Sequence, residues 1–155
     1  MPHQHEVSLG FQIVDLARLF RQQFERSVAG SGLELTAGEA RTLLHAAKSG
    51  PIRQTDLAER MAVEPMSLSG LLDRLEARAL VARTTDPGDR RAKLVRVTAE
   101  AAPLVGHLRA IAGAVLDRAS AGLGPDETAA VRRSLNLMRA NLTAAGRAAA
   151  SEPSP

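Results

Sequence analysis

The N-terminal part of the chain has apolar side chains at the three- and four-residue intervals of an amphipathic helix. This pattern predicts a long helix over about residues 6–29. Glycines at positions 30 and 32 predict its end, because glycine readily adopts the backbone conformation that closes a helix. The apolar stripe consists of Leu9, Ile13, Leu16, Phe20 and Phe24.

Three shorter helices are predicted in the next part of the chain. Thr36 and Glu39 have the spacing of a capping box, which begins the second helix. A third helix is predicted over about residues 55–61, and Pro65 suits the first position of a fourth helix that ends near Arg78. Because only a few residues separate these last two helices, their spacing is that of a helix-turn-helix.

A β-hairpin is predicted directly after the helix-turn-helix. Residues 81–84 and 94–98 are short runs of β-type side chains, and Asp86-Pro-Gly-Asp89 lies between them. Proline presets φ, glycine allows a positive φ and aspartate caps its own backbone, so this segment is typical of a turn. The basic side chains expected at the tip are Arg90, Arg91 and Lys93.

Two long helices are predicted after the hairpin, over about residues 99–121 and from Pro125 onward, and Thr98 is expected to cap the first of them. The sequence therefore predicts a mainly α fold with a small β-hairpin wing. Such a fold is a winged helix-turn-helix, here with dimerisation helices at the N- and C-terminal ends of the chain.

The same pattern predicts that different segments of the chain have different functions. A compact helix–hairpin unit does not by itself explain long apolar stripes at both ends, and a second subunit would cover them. We interpret residues 33–98 as the DNA-binding region and residues 6–32 and 99–145 as a helical dimerisation region. Residues 146–155 are small and polar and end in proline, so they are predicted to be disordered.

Composition narrows the class of protein. A chain of 155 residues with 45% hydrophobic and 24% charged residues is about the size of one soluble domain. No apolar run is long enough to span a membrane, and no signal peptide is evident, so we expect a cytoplasmic protein without a membrane partner. The absence of cysteine excludes disulfides, thiolate redox sensors and cysteine-based zinc sites. With 2% aromatic residues, the base stacking used by single-strand binders is not expected.

Positive charge is concentrated in the predicted hairpin. The formal net charge is only +3, whereas the segment from Arg83 to Arg96 has five basic and two acidic side chains. Double-stranded DNA is therefore the leading partner. We expect Arg90 and Arg91 to enter a minor groove, with Lys93 beside them, since narrow A·T stretches attract arginine. Asp89 would position a nearby arginine by pairing with it. An exposed turn with mixed charges is the alternative.

The second helix of the helix-turn-helix has an outward face of small and polar side chains. The hydroxyl groups of Ser67 and Ser69 can donate or accept at base edges, and Met66 can contact a thymine methyl group. Arg74 can reach a base or a phosphate. The alternative is a solvated helix face without a ligand. The candidate DNA-binding residues of this helix are Pro65, Met66, Ser67, Ser69, Gly70 and Arg74.

Residues 86–98, Asp-Pro-Gly-Asp-Arg-Arg-Ala-Lys-Leu-Val-Arg-Val-Thr, resemble the wing of the MarR family of bacterial transcription regulators. The Asp-x-Arg-x-x-x-Val signature of that family falls on Asp89, Arg91 and Val95. Residues 71–83 are similar to the end of the family's recognition helix, with Ala79-Leu80 where the family often has Gly-Leu.

The resemblance covers about residues 6–145, and its sharp motifs lie between about residues 54 and 98. It implies a homodimer held by its first and last helices, with recognition helices in major grooves and wings in flanking minor grooves. It also implies a transcriptional repressor that leaves a pseudo-palindromic operator when a small ligand binds between the dimerisation region and the DNA-binding lobes.

A ligand pocket is predicted near the junction of the first two helices. By resemblance, a small aromatic acid is the expected ligand, although core or interface packing is the alternative for Phe11. Histidines at positions 3, 5, 45 and 107 are the candidates for metal ligation. Without cysteine or paired histidines, we expect no metal site and no other cofactor. The candidate pocket residues are Phe11, Asp15, Arg18 and His45.

The alternative function is a winged-helix adaptor or antirepressor that acts through protein partners and does not bind DNA. Two adjacent arginines in the wing disfavour it, because a protein contact does not require them. No enzyme is predicted, since the sequence has no nucleophile–base pairing, phosphate-binding loop or metal triad.

Overall fold

The structure is a computed structural model that describes residues 8–150, and the side chains of residues 8–144. It is mostly helical, with a small three-stranded antiparallel sheet. This architecture confirms the predicted mainly α fold with a β-hairpin wing. In chain order, the elements are α1 (Leu9–Ala29), α2 (Ala37–Ser49), β1 (Ile52–Arg53), α3 (Gln54–Met61), α4 (Pro65–Ala77), β2 (Val81–Asp86), β3 (Asp89–Val97), a 3₁₀ turn (Ala99–Ala101), α5 (Ala102–Ala119) and α6 (Pro125–Ala150).

The predicted helix-turn-helix is formed by α3 and α4. At the end of α3, Ala62 adopts the left-handed conformation with a φ of 51°, which reverses the direction of the chain. Pro65 lies in the first turn of α4, as predicted, where its missing N–H group costs no hydrogen bond. The two helices are therefore joined by a tight turn.

The sheet has the strand order β1-β3-β2. The hairpin strands β2 and β3 are longer than predicted, and Asp86 pairs with Asp89 around the turn. Strand β1 was not predicted, because two residues are too few to show a periodicity. Its Ile52 pairs with Val95 of β3 and is 5% exposed, so this short strand closes one side of the core.

The core lies among the C-terminal end of α1, the helices α2, α3, α4 and α5, and the sheet. Three of the four leucines of α4 are fully buried, whereas Leu71 is half-buried. Leu71 packs instead against Gly38 of α2, where a Cβ atom would lie 2.9 Å from Leu71 Cδ2. The absence of a side chain at Gly38 thus lets α2 and α4 approach closely. The leucines without exposed surface are Leu43, Leu57, Leu68, Leu72, Leu75 and Leu108.

Thr98 does not cap the following helix, in contrast to the prediction. It precedes the 3₁₀ turn without a side-chain capping bond, and its hydroxyl donates to the carbonyl of Ala79 at 2.6 Å. The end of β3 is thereby fixed to the junction between α4 and β2.

The chain forms two compact units, one ending at Leu116 and the other beginning at Asp117. The second unit contains the end of α5 and α6. The backbone of α6 continues to Ala150, which replaces the predicted disorder with helix over 146–150, while 151–155 lie outside the described residues. Among the described helices, none combines the length and the apolar character needed to cross a membrane.

Candidate nucleic-acid interface

The N-terminal half of α4 presents the predicted recognition face. Met66 is 86% exposed, and the side chain of Arg74 farther along the helix is 56% exposed. The buried leucines of α4 face the core, so the opposite face of the helix, which includes several small side chains, is open to a ligand. The exposed members of this face are Pro65, Met66, Ser67 and Arg74, and the half-buried members are Ser69 and Gly70.

Arg74 is held by a carboxylate from α2. Its Nε atom donates to Glu39 Oε1 at 3.0 Å, and the backbone N–H of Thr36 donates to Glu39 Oε2 at 2.8 Å. Burial raises the pKa of Glu39, but the hydrogen bonds from Thr36 and Arg74 outweigh it and hold this pKa below its usual value of 4.5. Glu39 is therefore ionised at neutral pH and forms a charged link between α2 and α4.

The wing carries its predicted basic side chains on β3. Because successive side chains of a strand point to opposite faces, Arg91 and Lys93 share one face of β3 and Arg90 lies on the other. Lys93 Nζ donates to Thr85 Oγ1 on β2 at 3.1 Å. All three basic residues are exposed, and within the described part of the chain none of them forms an ion pair. Their charges are available to an external anion.

Asp89 has a different partner from the one predicted. Its Oδ1 atom accepts the backbone N–H of Arg91 at 3.0 Å, because the turn aims the short side chain at its own backbone, and no guanidinium of the described residues pairs with it. At the turn of the wing, Asp86 instead binds an arginine: its Oδ2 accepts from Arg53 Nε at 2.7 Å. The N–H of Gly88, and secondly the Arg53 guanidinium, lower the pKa of Asp86 against the effect of burial. The turn of the wing is thus tied to β1.

Arg83 joins the recognition helix to the wing. From β2, its Nη2 atom donates to Asp73 Oδ1 and to Glu76 Oε2, both at 2.6 Å, and its backbone N–H donates to Glu76 Oε1 at 3.0 Å. The hydrogen bond to Glu76 raises the pKa of Arg83 and lowers that of Glu76. These bonds fix the position of the wing relative to α4.

A cleft of about 250 Å³ lies between the N-terminal ends of α3 and α4 and strand β3. It brings together Pro65 of α4 with Arg91 and Lys93 of the wing. Gln54 and Thr55, at the beginning of α3, add polar side chains to its lining. Such a cleft suits the phosphate oxygens of a nucleic-acid backbone, which accept hydrogen bonds from basic, amide and hydroxyl groups.

A separate cavity of about 380 Å³ is lined by residues of α1, α2, α3 and α5. Apolar side chains such as Phe20 and Phe24 form part of its wall, together with Arg21, Arg41 and Arg60. The charge of Arg41 is partly balanced by Glu25, whose Oε1 atom lies 3.6 Å from Arg41 Nη1. The cavity therefore combines an apolar wall with an excess of positive charge.

Of the four predicted pocket residues, His45 lines this cavity and the other three do not. Phe11 is 71% exposed, and Asp15 and Arg18 form an ion pair with each other at 2.7 Å on the surface of α1. The reason is that α1 is buried only near its C-terminal end, at Phe24 and Val28. The residues of its first half lie beyond the cavity.

The imidazole of His45 is held neutral. Burial lowers the pKa of His45 below its usual value of 6.5, and the nearby charges of Arg41, Lys48 and Arg60 lower it further. An anion in the cavity would counteract this effect. Among the described residues, no group of three or more histidine, aspartate or glutamate side chains is placed to bind a metal ion.

Comparison with known proteins identifies the fold and the family. The profile of the MarR family matches residues 35–93, which contain the helix-turn-helix and most of the wing. The transcriptional regulator PA3341 is 31% identical, over 88% of this chain and 98% of its own, with a TM-score of 0.74. The chain belongs to the MarR family. As a MarR-family protein, it is a transcriptional regulator that binds DNA.

Two further MarR-like structures have the same fold. A MarR-family transcriptional regulator from Rhodococcus sp. RHA1 is 26% identical over 84% of this chain and 91% of its own, with a TM-score of 0.71. Bordetella bronchiseptica BpsR, whose DNA binding is regulated by 6-hydroxynicotinic acid, is 26% identical over 90% of this chain and 98% of its own, with a TM-score of 0.67.

Several residues of this MarR-family site were not predicted. Arg53 and Asp86 form the ion pair at the turn of the wing, and Gln54 and Thr55 line the cleft. Glu39 was predicted only as a helix cap. Its capping-box spacing is visible in the sequence, but nothing in the sequence shows that the same carboxylate binds an arginine 35 residues away.

Proposed function

We propose that this MarR-family protein is a homodimeric, sequence-specific repressor that leaves a pseudo-palindromic operator when a small acidic ligand binds. The observation that carries the proposal is the convergence of recognition helix and wing on one cleft. There, Arg91 and Lys93 lie beside the N-terminal ends of α3 and α4. This arrangement suits a DNA backbone held at the cleft while α4 enters the major groove.

We assign base reading to α4, backbone contacts to Arg90 and Lys93 of the wing, and a minor-groove contact to Arg91. Ser67, Ser69 and Arg74 lie on the open face of α4, so their substitution is expected to change which bases are preferred. Arg90 and Lys93 are unpaired cations on β3, so their substitution is expected to weaken binding to all sequences similarly. We assign Arg91 to the minor groove that flanks the half-site.

Exposed apolar residues on the first half of α1 support a homodimer. Leu9, Phe11, Val14 and Leu16 are each more than half exposed, at 57%, 71%, 68% and 51%. Several exposed large apolar side chains close together on a helix surface are typical of a contact with another chain. A two-fold symmetric pair also matches the symmetry of a pseudo-palindromic operator. We therefore propose that residues 6–32 and 99–145 form the dimerisation region and residues 33–98 the DNA-binding region.

The basic cavity supports release by an acidic ligand. Its arginines and its apolar wall suit a small aromatic acid, and BpsR provides a relative whose DNA binding responds to such an acid. Helix α2 connects the cavity to the recognition helix, because His45 lines the cavity and Glu39 of the same helix binds Arg74. A ligand that displaces α2 would therefore disturb the reading face.

Selection of bound duplexes from a random DNA pool at about 150 mM salt tests the DNA-binding part of the proposal. We expect enrichment of a pseudo-palindrome whose half-site centres lie about 10 base pairs apart. The logarithm of the affinity should fall linearly with the logarithm of the salt concentration, by about 0.9 per phosphate contact. No enrichment by a folded protein, or a flat salt response, would instead favour an adaptor that acts through protein partners.

Release of the selected duplex by 6-hydroxynicotinic acid or benzoate tests the ligand part. The Arg60→Ala variant should bind DNA but need more acid for release, because Arg60 lines the cavity. Arg18→Ala is the matched control, since Arg18 is a surface arginine outside the cavity. Equal sensitivity of both variants and the unmodified protein would place the ligand elsewhere.

A further inference from the structure

A buried glutamate contacts the recognition helix at the point where that helix presents its arginine. Glu39 is 5% exposed, and its two carboxylate oxygens have different partners. Oε2 accepts the Thr36 backbone N–H at 2.8 Å and completes the cap of α2. Oε1 accepts from Arg74 Nε at 3.0 Å and takes no part in the cap. The second contact therefore needs an explanation other than helix capping.

The contact uses one edge of the Arg74 guanidinium and leaves the other edge open. Within the described residues, Nε is the guanidinium nitrogen of Arg74 that forms a hydrogen bond, and 56% of the side chain is exposed. The Nη1 atom passes close to Gly70, where a Cβ atom would lie 3.9 Å from it. Paired donors at the free edge match the O6 and N7 acceptors of guanine or two phosphate oxygens.

The position of Glu39 is itself fixed relative to α4. The preceding residue, Gly38, lies against Leu71, where a Cβ atom would be only 2.9 Å from Leu71 Cδ2. At the end of α4, Arg78 Nη1 donates to the carbonyl of Glu34 at 2.8 Å. Two contacts on either side of the Glu39–Arg74 bond thus hold the helices together. Glu39 can therefore orient a long side chain that would otherwise sample many rotamers.

We propose that Glu39 is a positioning residue for DNA recognition, which fixes the Arg74 guanidinium so that its free edge reads one base pair in each half-site. This inference rests on the proposed function, since it takes Arg74 to be a reader. The proposal predicts that Glu39, which itself does not contact DNA, determines part of the base preference through Arg74.

The test compares base preferences for the unmodified protein, Glu39→Gln, Arg74→Ala and the double variant. Each is measured against the selected duplex and a set with single base-pair changes. We expect Arg74→Ala to reduce discrimination at one base pair of each half-site by about tenfold. Glu39→Gln should reduce discrimination at that same base pair and leave the others unchanged. In the Arg74→Ala background, Glu39→Gln should add no further loss.

Thr36→Ala is the matched control for the capping role. It removes the Thr36 hydroxyl that accepts the Glu39 N–H at 3.2 Å, but it leaves the bond between Glu39 and Arg74. We expect a lower midpoint of thermal unfolding without a change of base preference. If Glu39→Gln does not fold, Glu39→Asp keeps the charge but shortens the side chain, and it should lose discrimination at the same base pair.

The inference is overturned if Glu39→Gln or Glu39→Asp weakens all duplexes equally, or if its effect persists in the Arg74→Ala background. It is also overturned if Arg74→Ala leaves every base preference unchanged; the assignment of Arg74 to base reading would then fail as well, while the proposed DNA-binding repressor with Ser67 and Ser69 as readers would stand. If the unmodified protein enriches no sequence, both the proposed function and this inference fail.

Discussion

The winged-helix segment, residues 33–98, and the first half of α1, residues 9–19, have the same amphipathic pattern but different surroundings. Leu43 and Leu68 in the winged-helix segment have no exposed surface. On the apolar stripe of α1, Leu9 is 57% exposed and Leu16 is 51% exposed. Helical spacing shows only which side chains share a face, whereas packing decides whether that face is covered.

The difference separates a region whose apolar side chains are covered within one chain from a region whose apolar side chains are exposed. Farther along α1, Phe24 and Val28 are buried, so the uncovered part is confined to the beginning of the helix. In the winged-helix segment, even charged groups such as Glu39 and Asp86 have partners within the chain. We therefore expect DNA contacts to be built by each chain alone and α1 to need a second copy.

The largest expected effect comes from charging the uncovered part of α1. Phe11→Glu combined with Leu16→Glu should produce a folded monomer, because both side chains are exposed within one chain and would meet the partner in a dimer. Affinity for the selected duplex should fall about a hundredfold, since two linked half-site contacts become independent. Light scattering after size-exclusion chromatography measures the mass.

Gln12→Glu is the control for this variant. It adds a charge at an exposed position of the same helix without removing an apolar side chain, and it should remain dimeric. A Phe11→Glu/Leu16→Glu protein that keeps the mass of a dimer would show that this surface is not the subunit contact.

The next effect concerns the wing. Arg91→Ala should lower DNA affinity about tenfold and reduce the salt slope by about one, because an unpaired cation is removed from the cleft. Titration of labelled duplex by fluorescence anisotropy measures both quantities. Arg26→Ala, an exposed arginine of α1, should change neither. If the two variants behave alike, the wing is not a DNA contact.

A smaller effect is expected at the junction between recognition helix and wing. Ala79 has a φ of 55°, a conformation that costs an L-residue about 1 kcal/mol but suits glycine. Ala79→Gly should therefore raise the free energy of unfolding by up to about 1 kcal/mol, measured with urea. Ala77→Gly, within α4, should lower it by about the same amount. Destabilisation by both changes would mean that Ala79 is not strained.

The smallest effect is the pH response of His45. Because the pKa of His45 is lowered on folding, the unfolded chain takes up a proton first as the pH falls below 6.5. This histidine therefore contributes stability above pH 6.5 that is lost as the pH falls through its folded pKa. NMR titration should find that pKa below 6.5 and show it rising with bound benzoate. A folded pKa at or above 6.5 without ligand would contradict the basic, buried environment.

The sequence predicted the elements with strong local signals. The capping box at Thr36, the proline that begins α4 and the turn of the wing all depend on residues close together in the chain, and the structure confirms each of them. The two residues of β1 gave no such signal. Ala79 stands where the family often has glycine, and its positive φ explains that preference.

The site was less predictable because its contacts join distant segments. The pairs Arg74–Glu39 and Arg53–Asp86 link residues 35 and 33 positions apart, and no local pattern marks them. Three of the four predicted pocket residues lie outside the cavity for a related reason, whereas His45 lines it. Phe11, Asp15 and Arg18 lie on the first half of α1, whereas only the C-terminal end of α1 packs against the rest of its unit.

Sedimentation of the protein with and without its selected duplex determines whether two chains act together. We predict a dimer in free solution and two chains on each pseudo-palindromic duplex, with one chain at each half-site. A monomer that binds a single half-site as tightly as the full duplex would show that α1 needs no second copy.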